Sequence, residues 1–389
     1  MEKKDNFKDD DCGCGIEDLL SDTLNDNNRS AQGSAYSEEV YVDPDVEKVS
    51  YQFYLKKFTD GLPIIPPTQE RVDKFYEFTD LDPEEIVAVI PPKKGKATIE
   101  KIAVNAAMSG SLPAFMPLIQ NSVAAVTKEK FNLPGVNATT HPVSICLIAN
   151  GPLSKEIGMN SSVGCLGPGN IANATIGRAL RLILMNVGGA VPGIGDHASL
   201  GSPSKYSFCF AEAENESPWE PLHVERGFSM NNSTISVMAV DSPHNVNDHR
   251  SKTGEDLLDT IINTAAVAGC NNSHVPGEIL IIMAPEHAKM VSNLGWSKKE
   301  VKEYIHYNLK IPAYLGDRGG RKLDEKWITD GNVKLTRFPD DVVLVVAGGP
   351  GRHTMICHGF GTSSESVTLP INFSNGEPVL SINDFKKIV

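Results

Sequence analysis

Apolar segments of two kinds alternate along most of this 389-residue chain. Short runs such as IVAVI (86–90) and SICLIAN (144–150) are typical of buried strands. Longer stretches, for example 98–110 and 170–189, carry apolar residues at helical spacing instead. Strands that alternate with helices of this length favour βαβ units, so the sequence predicts an α/β fold of alternating strands and helices.

The chain also contains a faint internal echo. A segment with a helical pattern occurs twice, at 102–110 and at 261–269. A strand pattern followed by a turn with proline also occurs twice, at 145–159 and at 280–296. The echo predicts two similar lobes, about 47–200 and 201–389, with a cleft between them. The alternative is that any two strand–helix units resemble one another to this extent.

The first 46 residues are rich in acidic side chains. The chain carries 36 basic and 49 acidic residues, a net charge of −13, and Met1–Lys48 alone holds 14 acidic and 5 basic residues. Such a segment cannot bury enough apolar surface to fold alone, so we predict a disordered acidic tail over 1–46 and an α/β body over 47–389. The nearly neutral body has no cluster of Lys and Arg, which argues against nucleic acid or an anionic membrane as a partner.

Two further features bear on location and thiol chemistry. The chain has no apolar run of membrane-spanning length, and its first residues lack the apolar stretch of a signal peptide, so we expect a cytoplasmic protein. Its seven cysteines, an odd number, favour reduced thiols over a disulfide framework. Cys12 and Cys14, one residue apart in the tail, could chelate a soft metal ion, act as a mobile dithiol or be incidental.

A glycine-rich turn over 164–170 comes directly before a helical pattern. Backbone N–H groups at Gly167 and Gly169 could approach an anion at the positive end of that helix. Cys165 would lie in the same positive field, which lowers the pKa of a thiol and favours the thiolate. Asn170 and Asn173, three residues apart, share a helix face and could orient a polar substrate. The alternative is a tight structural turn with a small buried cysteine and an N-cap.

Two arginines could add charge-assisted contacts to the same anion. Arg178 interrupts the apolar surface of the helix that follows the glycine-rich turn. Arg352 follows Gly348-Gly349-Pro350-Gly351 at the end of a strand pattern, where an anion-binding loop could lie. The alternative for the second segment is a plain glycine-rich connection.

The segment 207–216 is interpreted as a strand with Glu212 and Glu214 on one face. His223 and Glu225 follow within a few residues. Carboxylates beside a histidine could bind a divalent metal ion or act as an acid–base pair. We predict Glu214 and His223 as acid–base residues, with Cys165 as a thiolate contact, and Glu212 and Glu225 as candidate metal ligands. The alternative is that the glutamates are the solvated side of a strand.

Long and distinctive segments between Asp60 and Lys302 resemble an uncharacterised bacterial protein family. They are DGLPIIPPT (60–68), ATIEKIAVNAAMSG (97–110), GPGNIANATIGRALRLILMNVGGAVPG (167–193), FAEAENESPWEPLHVERGF (210–228) and PEHAKMVSNLGWSK (285–298). Genes of that family lie beside, or are fused to, a small UGSC-type domain that carries a cysteine or selenocysteine. The resemblance implies a thiol or selenol context. Because this chain has no UGSC motif, that group would come from a UGSC-type partner.

Three hypotheses for function remain open. The first is an enzyme, or an enzyme subunit, in thiol- or selenol-linked redox or lyase chemistry on a small anionic substrate. The second is a metal-dependent hydrolase or lyase that uses the Glu/His group. The third is a noncatalytic binding or metal-delivery subunit that acts through Cys12 and Cys14. We expect a homo-oligomer, and the sequence fixes neither the cofactor nor the substrate.

Overall fold

A computed structural model describes residues 37, 39, 42, 45–317 and 323–387. Cys12, Cys14 and nearly all of the predicted tail lie outside these described residues. The helices of the described part are α1 (Val46–Leu55), α2 (Gln69–Tyr76), α3 (Ile99–Ser109), α4 (Met116–Val126), α5 (Leu133–Ala138), α6 (Pro152–Glu156), α7 (Ile171–Asn186), α8 (Leu222–Glu225), α9 (Gly254–Ala265), α10 (Pro285–Asn293), α11 (Lys298–Asn308) and α12 (Ala313–Asp317).

In the part of the chain that the structure describes, the strands form two four-stranded sheets and two smaller ones. They are β1 (Ile86–Ile90), β2 (Gly95–Thr98), β3 (Ser144–Asn150), β4 (Cys209–Ala211), β5 (Thr234–Val240), β6 (His244–Asn247), β7 (Ile279–Met283), β8 (Lys310–Pro312), β9 (Ile328–Thr329), β10 (Asn332–Lys334), β11 (Val342–Val346), β12 (His353–His358) and β13 (Val367–Pro370). The predicted α/β fold is therefore confirmed.

Local sequence explains where the helices begin and end. In α3, the Thr98 side chain accepts a hydrogen bond from the Lys101 N–H and so caps the helix. The helix stops at Gly110, whose φ of 84° lies in the left-handed region that glycine adopts without strain. The predicted end of this helix near Gly110 is correct.

The two larger sheets have the same strand pattern. In the first sheet, β3 pairs in parallel with β4 and antiparallel with β5, and β5 pairs with β13. In the second sheet, β7 pairs in parallel with β11 and antiparallel with β12, and β12 pairs with β6. The two similar halves expected from the internal echo are thus visible in the strand order.

The fourth strands of the two halves are exchanged. β6 follows β5 along the chain but lies in the second sheet, whereas β13 follows β12 but completes the first. The predicted boundary near residue 200 therefore does not separate the halves, because β4 and β5 lie beyond it and belong to the first sheet.

The sheets stack face to face, with helices on both outer sides. Alternate residues such as Ile148 and Phe210 of the first sheet pack with Ile282 and Val343 of the second in one apolar cluster. The opposite faces pack against α3, α4 and α7 in the first half and against α9 and α11 in the second. The result is a helix–sheet–sheet–helix arrangement of four layers.

Two strand predictions were wrong. IVAVI is not a central buried strand, because among the described residues β1 pairs only with β2, and Ile86 and Val89 are exposed. The segment 207–216 is a strand only at Cys209–Ala211. Glu212 directly follows this strand, and Glu214 and Glu216 lie in a turn. Within the described ranges, no helix is long and apolar enough to cross a membrane.

Candidate functional site

A polar cluster lies where the parallel strands β3 and β4 end. Asn150 is the last residue of β3, and Glu212 comes directly after β4. The carboxyl ends of neighbouring parallel strands meet at one edge of a sheet, where ligands commonly bind. Asn150 pairs with Thr234 of β5 in the antiparallel register, so these two side chains share the face that looks toward the second sheet.

Glu212 is buried and serves as an acceptor for two donors. Its Oε2 accepts hydrogen bonds from Asn150 Nδ2 at 2.7 Å and from the Leu222 N–H at 2.8 Å. Burial raises the pKa of this carboxyl above its ordinary value, although Lys298 and the two donors oppose the change. Glu212 therefore holds a proton more readily than an exposed glutamate does.

The surroundings of Glu214 shift its pKa in the opposite direction. Its Oε1 accepts from the Gly151 N–H at 2.6 Å and from Asn150 Nδ2 at 3.2 Å, and its Oε2 accepts from Lys155 Nζ at 2.8 Å. Burial alone would raise its pKa, but Lys155 and the Gly151 N–H outweigh burial and lower the pKa. Glu214 therefore stays ionised to a lower pH than an exposed glutamate does.

His223 lies beside these carboxylates on α8. Its side chain is 0% exposed, and its Nδ1 is 3.9 Å from Glu214 Oε1. Burial lowers the pKa of the imidazole, although the charge of Glu214 opposes the change. The histidine is therefore biased toward its neutral form, in which one ring nitrogen can accept a proton.

Several buried polar atoms of this cluster lack a hydrogen-bond partner among the described residues. They include Asn150 Oδ1 and Thr234 Oγ1. Buried polar atoms are normally paired, and unpaired ones at a single place call for ordered water or a ligand. We call Asn150, Glu212, Glu214, His223 and Thr234 the carboxylate–histidine cluster.

A surface cleft of about 540 Å³ opens onto this cluster. Glu214 lines the cleft and is also a member of the carboxylate–histidine cluster, so it connects the buried groups with the surface. Lys155, whose side chain is half exposed, brings a cation to the cleft. The cleft is lined among others by Lys155, Glu214, Asn215, Trp219, Met230 and Asn231.

The predicted metal ligands do not converge. Glu225 points to α11, where its carboxylate pairs with Lys298 at 2.6 Å and with Lys302. No three His, Cys, Asp or Glu side chains within the described residues come together closely enough to hold a metal ion.

The glycine-rich turn uses its polar groups internally. Asn170 accepts from the Asn173 N–H to cap α7 and donates to the Gly158 carbonyl. Asn173 accepts from the Asn160 N–H and donates to the Cys165 carbonyl. Gly167 and Gly169 are exposed in the turn itself. These amides therefore fasten the turn to the helix rather than point at a substrate.

The prediction for Cys165 was wrong in sign. The thiol is buried, and burial raises its pKa to about 11 despite the nearby backbone N–H groups. The backbone N–H groups of Cys165 and Leu166 do not offset the loss of hydration. Cys165 packs in the apolar cluster between the two sheets.

The two predicted anion-binding arginines are also occupied. Arg178 binds Asp60 with two hydrogen bonds of 2.8 and 2.9 Å and also donates to the Pro63 carbonyl. Arg352 donates to the His249 and Ser251 carbonyls. Both side chains connect segments that are distant in sequence, which explains their positions without an anion.

Sequence reasoning found Glu212, Glu214 and His223 but missed Asn150, Lys155 and Thr234. Asn150 stands before Gly-Pro at the end of a strand pattern, which was a usable signal for a site at a strand end. Nothing in the sequence pairs Asn150 with Thr234, because that contact depends on strand register.

The described residues form an α/β fold of four layers, and the carboxylate–histidine cluster lies beneath an open cleft. Comparison of the chain with models of protein families, with curated proteins and with solved structures finds no match. The function must therefore be argued from the cluster itself.

Proposed function

We propose that this protein is a lyase-type enzyme that transfers protons on a small anionic substrate bound in the cleft. One observation carries the proposal: Glu212 and Glu214 share Asn150, yet burial raises the pKa of the first while Lys155 and Gly151 lower the pKa of the second. Neighbouring titratable groups whose pKa values are pushed apart are typical of acid–base catalysis.

The arrangement at the cleft supports roles for Lys155, Glu214 and His223. Lys155 would bind the anionic group of the substrate while it stays near Glu214. The Glu214 carboxylate would take a proton from the carbon next to that group. The C–H electron pair then forms a double bond as the leaving group departs with its own electron pair and is protonated by water. His223, neutral and beside Glu214, would accept the proton that Glu214 has taken.

Thiol or selenol chemistry, if it accompanies this reaction, needs a group from elsewhere. The cysteines within the described residues, Cys146, Cys165, Cys209, Cys270 and Cys357, are all buried. The proposal therefore assigns such a group to a UGSC-type partner or to Cys12 and Cys14. The metal-dependent alternative is not carried forward, because its predicted ligands are already engaged, Glu212 by Asn150 and Leu222 and Glu225 by Lys298 and Lys302.

The test is proton exchange in heavy water. We would incubate the protein in D₂O with a panel of short hydroxy acids, keto acids and amino acids, and follow loss of C–H signals and formation of alkenes by ¹H NMR. Binding would be followed in parallel by the fluorescence of Trp219, which lines the cleft. We expect at least one acid to exchange or eliminate, and the Glu214→Gln variant to lose that activity by about 100-fold or more.

Glu216→Gln is the matched control, since Glu216 lies two residues away but is exposed and pairs with Lys289. It should retain full activity. Activity that is equal in Glu214→Gln and the wild type, or neither exchange nor binding with any acid of the panel, would contradict the proposal.

A further inference from the structure

A second, smaller cavity lies at the other end of β3. It has a volume of about 30 Å³ and borders Ser144, the first residue of the strand. Because β3 has seven residues, its two ends lie roughly 20 Å apart at about 3.3 Å per residue. This cavity is therefore separate from the carboxylate–histidine cluster, and the inference drawn from it does not rest on the proposed function.

The cavity has an excess of positive charge. Arg181 and Lys205 line it, and both pair with Asp196, at 3.0 and 2.7 Å. The three side chains are 13%, 14% and 4% exposed, so solvent screens them little. Two cations against one carboxylate leave a net charge of +1. A buried charge without a counter-ion is costly, so the arrangement favours an additional anion.

The free donors of the cavity point to the same ligand chemistry. Arg181 makes no hydrogen bond within the described part of the chain beyond its contact with Asp196, so most of its N–H groups are available. Asn137 also lines the cavity and is 4% exposed. Its side-chain nitrogen is shielded from solvent and finds no acceptor among the described residues. A buried amide donor without an acceptor is rare and indicates a missing acceptor.

We infer that this cavity is a binding site for a small oxyanion, held by Arg181, Lys205 and Asn137. Its volume exceeds the 10–15 Å³ that one water requires by about a factor of two to three, which suits a compact anion and not an extended one. A guanidinium, an ammonium and an amide N–H together provide the charge-assisted donors that phosphate, sulfate or carboxylate groups prefer.

The experiment is to titrate the full-length protein with inorganic phosphate, sulfate and acetate. Isothermal titration calorimetry measures binding, and the melting temperature is measured at each anion concentration. We expect one anion per chain and a melting temperature that rises with its concentration, since a ligand that binds only the folded state stabilises it. Phenyl phosphate tests the source of the group. Binding of phenyl phosphate at least tenfold weaker than that of inorganic phosphate identifies a free ion, and equal binding identifies the end group of a larger molecule.

Two variants locate the site. Asn137→Asp places a carboxylate where the anion would lie, so it should weaken phosphate binding at least tenfold. Its melting temperature without phosphate should approach that of the phosphate-saturated wild type. Lys205→Gln should also weaken phosphate binding at least tenfold, while Asp196 still pairs with Arg181. This variant tests the inference if Asn137→Asp fails to fold.

Asn308→Asp and Lys310→Gln make the same changes of charge at exposed positions and should bind phosphate like the wild type. The inference is overturned if the wild type shows neither heat nor a melting shift with any of the three anions. It is also overturned if the cavity variants bind as well as these controls.

Discussion

Glu212 and Glu214 show how strongly the surroundings of a residue decide its chemistry. They are two positions apart in the sequence and accept from the same Asn150 amide. Of the two, only Glu214 accepts a hydrogen bond from the ammonium of Lys155 and lines the cleft. The sequence predicted that these glutamates matter, but their opposite pKa changes depend on the burial of Glu212 and on the approach of Lys155 to Glu214, which are tertiary properties.

Stability should depend on Glu212 in a direction set by its raised pKa. The folded protein keeps a proton on Glu212 at a pH where the unfolded chain has lost it, so stability falls as the pH rises from the unfolded pKa through the folded pKa. Glu212→Gln keeps an acceptor for Asn150 and Leu222 without the charge. We predict that it raises the melting temperature at about pH 8 and changes it little near pH 4.

Thermal melts at the two pH values check this prediction, with exposed Glu216→Gln as the control. A melting difference between Glu212→Gln and the wild type that does not change with pH would refute it.

Cys165 should react slowly with alkylating reagents in the native protein. With a pKa of about 11 against an ordinary 9.0, its thiolate fraction near neutral pH is lower by about 100-fold, and burial slows access further. We predict labelling by iodoacetamide only after denaturation, read out by peptide mass spectrometry. Rapid native labelling of Cys165 would restore the thiolate role predicted from the glycine-rich turn.

At the level of elements, the central strands and long helices could be predicted because each has an uninterrupted apolar pattern. β3, α3 and α7 lie where their patterns indicated. β1 has the same apolar, β-branched composition as a buried strand, but whether a strand finds neighbours on both sides is a tertiary property. The sequence also does not show that β4 ends at Ala211, before the end of the predicted segment 207–216.

The ion pair between Arg178 and Asp60 fastens α7 to the segment before α2. Asp60 is 3% exposed in its side chain, so removing the arginine leaves a buried charge without its partner. We predict that Arg178→Met lowers the free energy of unfolding by about 3 kcal/mol or more.

Urea titration measures this loss. The double variant Asp60→Asn/Arg178→Met should recover part of the stability, because no unpaired charge is left. The phosphate affinity of the folded protein should not change. A loss of phosphate binding in Arg178→Met would support the anion role that the sequence suggested.

For the whole molecule, the exchange of β6 and β13 makes the two halves depend on each other. Each four-stranded sheet needs one strand from the other half, and both sheets share one apolar interface. The internal echo in the sequence revealed that there are two similar halves. It could not reveal the exchange, because short edge strands carry almost no pattern of their own.

We therefore predict one cooperative unfolding transition for the described body. Phe210 is 0% exposed in the interface between the sheets, so Phe210→Ala should destabilise the protein by about 3–5 kcal/mol. Because the halves are interlocked, the variant should shift the transition of both sheets together. Hydrogen exchange monitored by mass spectrometry distinguishes this from separate unfolding, in which protection of β7 and β11 would stay at the wild-type level.

The central claim, that two neighbouring carboxyl groups are tuned in opposite directions beneath the cleft, is tested most directly by a ¹³C NMR titration. Protein labelled at the glutamate carboxyl carbon would be followed over pH, with Glu212→Gln and Glu214→Gln used to assign the two signals. We expect the pKa of Glu214 to lie below the ordinary glutamate value of 4.5 and the pKa of Glu212 to lie above it. Two signals that titrate together near that value, or in the reverse order, would contradict it.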